Sequence, residues 1–312
     1  MMPPFSLLVK PAGADCNLAC GYCFYRDKLA LHASRHPRMS LETLEKMLLG
    51  YRALPMAEHQ VAFQGGEPLL MGEEFFRRAS EIAPDVKFSL QTNATLVTPS
   101  LARFFAEHNW LVGVSPHGRT KEFFEGYHML VDAGVLVNVL QLVTRHNVMR
   151  PEELYRFIRD ELGCRNHQYI ECTWPEEFAV NAEEWGEFLM RLFDEWRRLE
   201  DERRVSIRHI DSLVSEIVFG VPSLCSFAND CRHYFAVESN GDVYPCDFYV
   251  EKRWRLGNIA EDSWQDIASS RKYCEFGLRK RDHMDCPRNK HALDAAWEKF
   301  RAYAHEGLLE CL

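Results

Sequence analysis

The stretch "KPAGADCNLACGYCFYRD", residues 10–27, carries cysteines at 16, 20 and 23, separated by three and then by two residues. It continues from "FSLLVK" (5–10), an apolar, β-type run that reads as a strand. Thiols so crowded at a strand end read as soft metal ligands, and two kinds of site fit them. A closed zinc site needs a fourth ligand, which His32 or His36 would have to supply at a spacing that does not favour it. A four-iron cluster held by only three thiolates leaves one iron open to a ligand from solution, and an open iron implies chemistry.

Downstream, β-type runs alternate with helical patterns. After 5–10 the strands are "QVAFQ" (60–64), "VKFSLQT" (86–92), "LVGVS" (111–115), "VLVNVLQLVT" (135–144) and "HQYIECT" (167–173). Helix-start signals stand between them: Ser40, Thr98 with Pro99, and Pro151. Alternation of this kind predicts an α/β fold with a parallel sheet. Six βα units predict a partial (β/α)6 barrel open on one side, with the site at the C-terminal ends of the strands.

The texture changes after the charged, Trp-bearing segment at 181–204. A boundary near 205 gives a core of residues 1–205 and a smaller α+β C-terminal domain of residues 206–312. In "CRHYFAVESNGDVYPC" the Asn240-Gly241 pair lies between two alternating runs and predicts a β-hairpin with a tight two-residue turn. The tail from Ala292 to Glu310 reads as one amphipathic helix.

The chain of 312 residues is 46% hydrophobic, long enough for one large domain or two unequal ones. Its formal charge of −9 argues against general attraction to nucleic acid or an anionic membrane. Neither a signal-peptide pattern nor a membrane-spanning run is visible, so the expected location is cytoplasmic. Eleven cysteines in a reducing compartment are better read as metal-binding or catalytic than as disulfides.

The loop "CNLACGYC" resembles the CxxxCxxC signature of the radical SAM superfamily, in which the open iron of a [4Fe-4S] cluster chelates S-adenosylmethionine. "FQGGEPLL" is similar to that family's GGEP motif, and "QTNAT" to a further contact with S-adenosylmethionine. The resemblance makes Cys16, Cys20 and Cys23 the cluster ligands and places Tyr22 beside the adenine. It gives Gln64, Gly65, Gly66, Glu67, Asn93 and Ser115 cofactor-binding roles, with Glu67 receiving the ammonium. A closer likeness, over nearly the whole chain, is to the anaerobic sulfatase-maturating enzymes, which oxidise a cysteine or serine in a sulfatase peptide to formylglycine. It implies that Cys225, Cys231, Cys246 and Cys286 hold one auxiliary [4Fe-4S] cluster in a SPASM-type domain, and that Asp247 is the general base. It further implies a peptide or protein substrate and an electron donor such as flavodoxin or ferredoxin.

Two departures stand out. The cysteine-rich stretch for a second auxiliary cluster is absent between "RKRDHMD" and "CPRNK", so two clusters are expected rather than three. Cys164, Cys172, Cys274 and Cys311 then read as core or surface thiols. His117, in "SPHGRTKEF", stands where the family carries an acid, and reads as a loop histidine or as a residue near the substrate. The alternative functions are a maturase that crosslinks or epimerises a ribosomally made peptide, and a non-catalytic zinc-binding interaction module.

Overall fold

A computed structural model describes residues 4–31, 34–228, 230–279, 286 and 295–309. The chain forms two compact units, Met1–Val137 with Asp230–Arg279, and Asn138–Asn229 with Lys280–Leu312.

In the first unit, β1 (Ser6–Lys10), β2 (Gln60–Phe63), β3 (Lys87–Thr92) and β4 (Leu111–Val114) form a parallel sheet in sequence order. Helices Leu41–Arg52, Glu73–Ile82 and Pro99–Glu107 cross between these strands, and Lys121–Asp132 follows β4. The predicted starts form as real caps: Ser40 Oγ accepts from the Thr43 amide at 3.0 Å, and Thr98 Oγ1 from the Leu101 amide at 3.2 Å. The inward side chains are large and aromatic. Trp110 stacks on Phe88 at 4.8 Å and on Phe63 at 5.8 Å, and its indole N–H donates to Ser80 Oγ at 3.1 Å, so the ring is buried without an orphaned donor.

β5 (Leu136–Val143), which belongs to the second unit from Asn138 on, β6 (Asn166–Glu171) and β7 (Ser206–Ile207) are also parallel. Helix Ala182–Arg198 opens with a reciprocal capping box between Asn181 and Glu184. Tyr155 donates to Asp201 at 2.7 Å, and Arg159 also binds this fully buried carboxylate. The final helix runs Ala295–Leu309; the expected start at Ala292 and the end at Glu310 lie outside the described residues.

The C-terminal segment holds a feature with no local signal. β8 (Tyr234–Glu238) lies parallel to β1 over five residues, Ser6 opposite Tyr234 and Lys10 opposite Glu238. β9 (Asp242–Tyr244) returns antiparallel to β8, and β10 (Gly257–Asn258) is antiparallel to β9. The hairpin is where the sequence places it, but its turn differs. The Gly241 amide closes on the Glu238 carbonyl at 2.9 Å, centring the turn on Ser239-Asn240, and Gly241 follows at φ +84°. A glycine in left-handed geometry after the turn makes a three-residue loop, and Asn240 is spared the positive φ that a two-residue turn demands.

Candidate active site

The cysteine loop leaves β1 and is fastened to the end of β2. The Gly66 amide donates to the Gly13 carbonyl and the Glu67 amide to the Asp15 carbonyl, both at 2.8 Å. These contacts need the paired glycines. Gly65 has φ +126°, and a Cβ there would meet the Gly13 carbonyl oxygen at 2.7 Å and the Lys10 stem at 3.1 Å. A Cβ on Gly66 would lie 1.8 Å from the Asp15 carbonyl oxygen. Asp15 itself is pinned by Arg38 at 2.8 Å and His36 at 3.1 Å. His36 is thereby paired with a carboxylate, and His32 lies outside the described residues.

Glu67 is almost fully enclosed. Its Oε1 accepts from the Leu69 amide at 3.0 Å and from Thr92 Oγ1 at 2.8 Å, and Oε2 from the Asn93 amide at 2.9 Å. Burial pushes its carboxyl up to about 7, although these hydrogen bonds pull the other way. In this arrangement the carboxylate braces the end of β2 to the end of β3.

Asn93, just past β3, donates from Nδ2 to Asn17 Oδ1 at 2.9 Å and stands 3.8 Å from Cys16 Sγ. The next residue, Ala94, is held at φ +66°, and Gly126 gives its carbonyl room: a Cβ there would come within 1.9 Å. Ser115, just past β4, donates its amide to the Thr92 carbonyl at 2.9 Å and accepts from Gln91 Nε2 at 3.2 Å. Gln64 donates its amide to the Val9 carbonyl at 2.9 Å, and Tyr22 is half-buried on the cysteine loop. Gln64, Asn93 and Ser115 thus occupy the C-terminal ends of consecutive strands. His117 is half-buried two residues beyond Ser115; burial lowers its imidazole, and its Nδ1 has no partner among the described residues.

The three loop cysteines are half-buried, and the Cys23 amide closes a turn on the Cys20 carbonyl at 3.2 Å. Burial raises the Cys16 and Cys23 thiols above their ordinary range. Backbone amides at Leu18 and Arg26 oppose this, while mutual repulsion among the cysteines adds to it. Thiols destabilised as anions in this way fit a bound cationic centre, which supplies the missing positive charge. Among the described residues no three His, Cys, Asp or Glu side chains converge on a single metal ion. A four-iron cluster presents a separate iron to each thiolate, so that convergence is not what it requires.

Asp247 follows Cys246 at the start of a short turn, Asp247–Tyr249. Its Oδ1 accepts from Tyr234 Oη at 2.9 Å, and its Oδ2 lies 3.7 Å from the Lys10 ammonium. Tyr234 Oη is also 3.2 Å from Cys246 Sγ. Lys10, only 2% exposed, sits 4.5 Å over the ring of Tyr25, whose hydroxyl donates to Glu238. Glu238 is equally buried; burial pushes its carboxyl up to about 7 despite the nearby lysine. Sequence reasoning missed Lys10, Tyr25, Tyr234 and Glu238. The available signal was a lysine closing an apolar strand immediately before the cysteine loop.

Cys231, whose amide donates to the Gly277 carbonyl at 3.2 Å, and Cys246 lie in the first unit; Cys225 and Cys286 lie in the second. Cys164 and Cys172 are buried and turn their thiols toward the Asn166 and Trp174 carbonyls, both at 3.4 Å. Cys274 is half-buried. Cys311, and the stretch between 279 and 295 apart from Cys286, lie outside the described residues. No helix among the described residues is long and apolar enough to cross a membrane.

Comparison with known families gives this geometry its class. Residues 11–160 match the radical SAM superfamily, and residues 225–289 match the SPASM iron-sulfur cluster-binding domain. The chain is 36% identical over 318 residues to a cysteine-type anaerobic sulfatase-maturating enzyme of Clostridium perfringens, covering 88% of this chain and 83% of that one. It is 30% identical over 366 residues to a serine-type enzyme of Bacteroides thetaiotaomicron, covering 97% and 87%. A solved structure of native anSMEcpe with bound AdoMet and Cp18Cys peptide superposes with a TM-score of 0.85 at 30% identity, covering 99% of each chain. Streptococcus suis SuiB bound to its precursor peptide SuiA shares the fold, with a TM-score of 0.64 at 15% identity.

The fold is therefore the radical SAM core, the α/β partial barrel expected from the six βα units, joined to a small C-terminal region with antiparallel strands. The chain belongs to the family of anaerobic sulfatase-maturating enzymes, and it is a radical SAM enzyme.

Proposed function

We propose that this enzyme oxidises a cysteine or serine of a sulfatase peptide to formylglycine, with Asp247 as general base. The observation carrying the reading is that one compact unit holds both the cysteine loop and Asp247. They are linked through Lys10, which reaches Asp247 at 3.7 Å and lies 4.5 Å over Tyr25, two residues past Cys23. In this reading Cys16, Cys20 and Cys23 hold a [4Fe-4S] cluster, and Cys225, Cys231, Cys246 and Cys286 hold one auxiliary [4Fe-4S] cluster. When bound, the first cluster with S-adenosylmethionine would supply radical chemistry able to remove a hydrogen atom from the substrate β-carbon, and the auxiliary cluster would supply an electron acceptor.

The chain's own residues do the rest. Asp247 would take the proton that the substrate loses along with an electron, leaving an aldehyde from serine, or from cysteine a thioaldehyde that water hydrolyses with loss of sulfide. Tyr22 flanks the adenine, and Gln64, Asn93 and Ser115 offer polar groups at consecutive strand ends. Gly65 and Gly66 let the cysteine loop close on β2, and Glu67 fixes the Asn93 backbone through Oε2, which keeps a second acceptor position for the ammonium. The proposal includes a division near residue 205 into a core and a cluster-bearing C-terminal domain, a flavodoxin- or ferredoxin-like electron donor, and a cytoplasmic location.

The test is anaerobic reconstitution followed by assay with sulfatase-derived peptides bearing cysteine or serine at the target. Formation of 5′-deoxyadenosine together with a peptide aldehyde that hydrazine reagents trap supports the reading. Formation of 5′-deoxyadenosine without aldehyde from either peptide sinks the assignment to sulfatase maturation.

A further inference from the structure

We infer that Lys10 is a positioning residue that, with Tyr234, fixes the orientation of the Asp247 carboxylate, and that Glu238 and Tyr25 hold Lys10 in place. The inference rests on the reading of Asp247 as base and adds to it a supporting set on two neighbouring strands.

A carboxylate that removes a proton from a bound substrate must present one oxygen at a fixed angle, and its plane turns freely about the Cβ–Cγ bond unless both oxygens are engaged. Here both are. Tyr234, first residue of β8, donates to Oδ1 at 2.9 Å, and Lys10, last residue of β1, faces Oδ2 at 3.7 Å. Parallel pairing of β1 with β8 fixes the separation of these two anchors.

A buried ammonium is costly unless anions surround it. The same register that sets Ser6 against Tyr234 sets Lys10 against Glu238, a carboxylate that is itself buried. The Tyr25 ring lies beneath the ammonium, and its hydroxyl ties to Glu238. Room for the lysine stem comes from Gly65, where a Cβ would press on Lys10 Cδ at 3.1 Å and on its Cβ at 3.3 Å. The first glycine of the motif after β2 thus accommodates the residue that steadies the base, as well as the cysteine loop.

The test uses the anaerobically reconstituted holoenzyme and a peptide it converts, with product peptide measured per 5′-deoxyadenosine. Lys10→Met should lower this ratio at least about tenfold through kcat, with the peptide KM changed less than about twofold, and Lys10→Arg should recover part of the loss. Melting temperatures of Lys10→Met, Asp247→Asn and the double variant form a second readout, and the losses should be non-additive because the two side chains face each other. A wild-type ratio in Lys10→Met at matched iron content, or additive melting losses, overturns the inference. Should Lys10→Met not accumulate, Lys10→Met/Glu238→Gln removes the carboxylate left without its counter-ion; the same fall is expected there, and a wild-type ratio there overturns the inference too. A lowered ratio in Asp247→Asn with a wild-type ratio in Lys10→Met sinks the role of Lys10 alone. A wild-type ratio in Asp247→Asn removes the base assignment, and this inference with it.

Discussion

Gly66 stands so close to Asp15 that a methyl group at its Cα would come within 1.8 Å of the Asp15 carbonyl oxygen. The contact is backbone against backbone, so no rotamer change relieves it. Gly66→Ala must therefore push the cysteine loop away from β2, breaking the paired 2.8 Å hydrogen bonds that join them. We expect a stability loss of about 1–3 kcal/mol and iron retained at the auxiliary site but lost from the first. Iron counting with thermal melts, each against the wild-type chain, checks this. Full iron loading in Gly66→Ala contradicts it.

Glu67→Gln tests the brace between β2 and β3. Backbone amides donate to both oxygens, from Leu69 and from Asn93, so a carboxamide must turn its NH2 toward one of those donors. A loss of about 1–3 kcal/mol is expected from the unsatisfied buried amide. The affinity for S-adenosylmethionine should fall with it, because Asn93 loses its tether. Unchanged melting and unchanged binding, the latter measured by calorimetry, oppose this role.

His167 supplies a pH signature in the second unit. Buried between the Tyr169 hydroxyl and the Cys164 carbonyl, its imidazole is lowered from 6.5 to about 4 by burial. The unfolded chain therefore takes up a proton before the folded one does. Stability from this group is fully present above pH 6.5 and drains away as pH falls toward 4, by on the order of 3 kcal/mol. In metal-free chain, His167→Gln should flatten the dependence of melting temperature on pH across that window. An unchanged slope sinks the prediction.

Alanine at Cys225, Cys231 or Cys246 should lower iron from about eight to about four atoms per chain. Cleavage of S-adenosylmethionine should persist while aldehyde formation collapses. Iron already at about four in the reconstituted wild-type chain, with cleavage intact, means that the C-terminal cysteines hold no cluster.

The strands of the core were legible because each is a short apolar run closed by polar residues at the strand end, as in "QVAFQ" and "LVGVS". The cysteine loop and the paired glycines were legible as motifs, although the first partner of those glycines is the cysteine loop itself. Lys10 and Glu238 were not. A lysine or glutamate ending an apolar strand ordinarily turns to water; only the pairing of β1 with β8 encloses both, and pairing so distant in sequence leaves no periodic trace. The Asn-Gly hairpin was legible in place but not in turn type, because Gly241 alone adopts the positive φ.

Pairing of β1 with β8 also governs the order in which this protein can be completed. Ser6 finds its backbone partner in His233, 227 residues later. Until that segment has been synthesised, one side of the first strand is an open edge, a row of unpaired amides and carbonyls able to recruit another chain. A fragment cut at 205 would keep that edge for good. Efforts to isolate the N-terminal portion should meet self-association, and the C-terminal hairpin serves the fold as an edge guard as well as bringing Asp247 to Lys10.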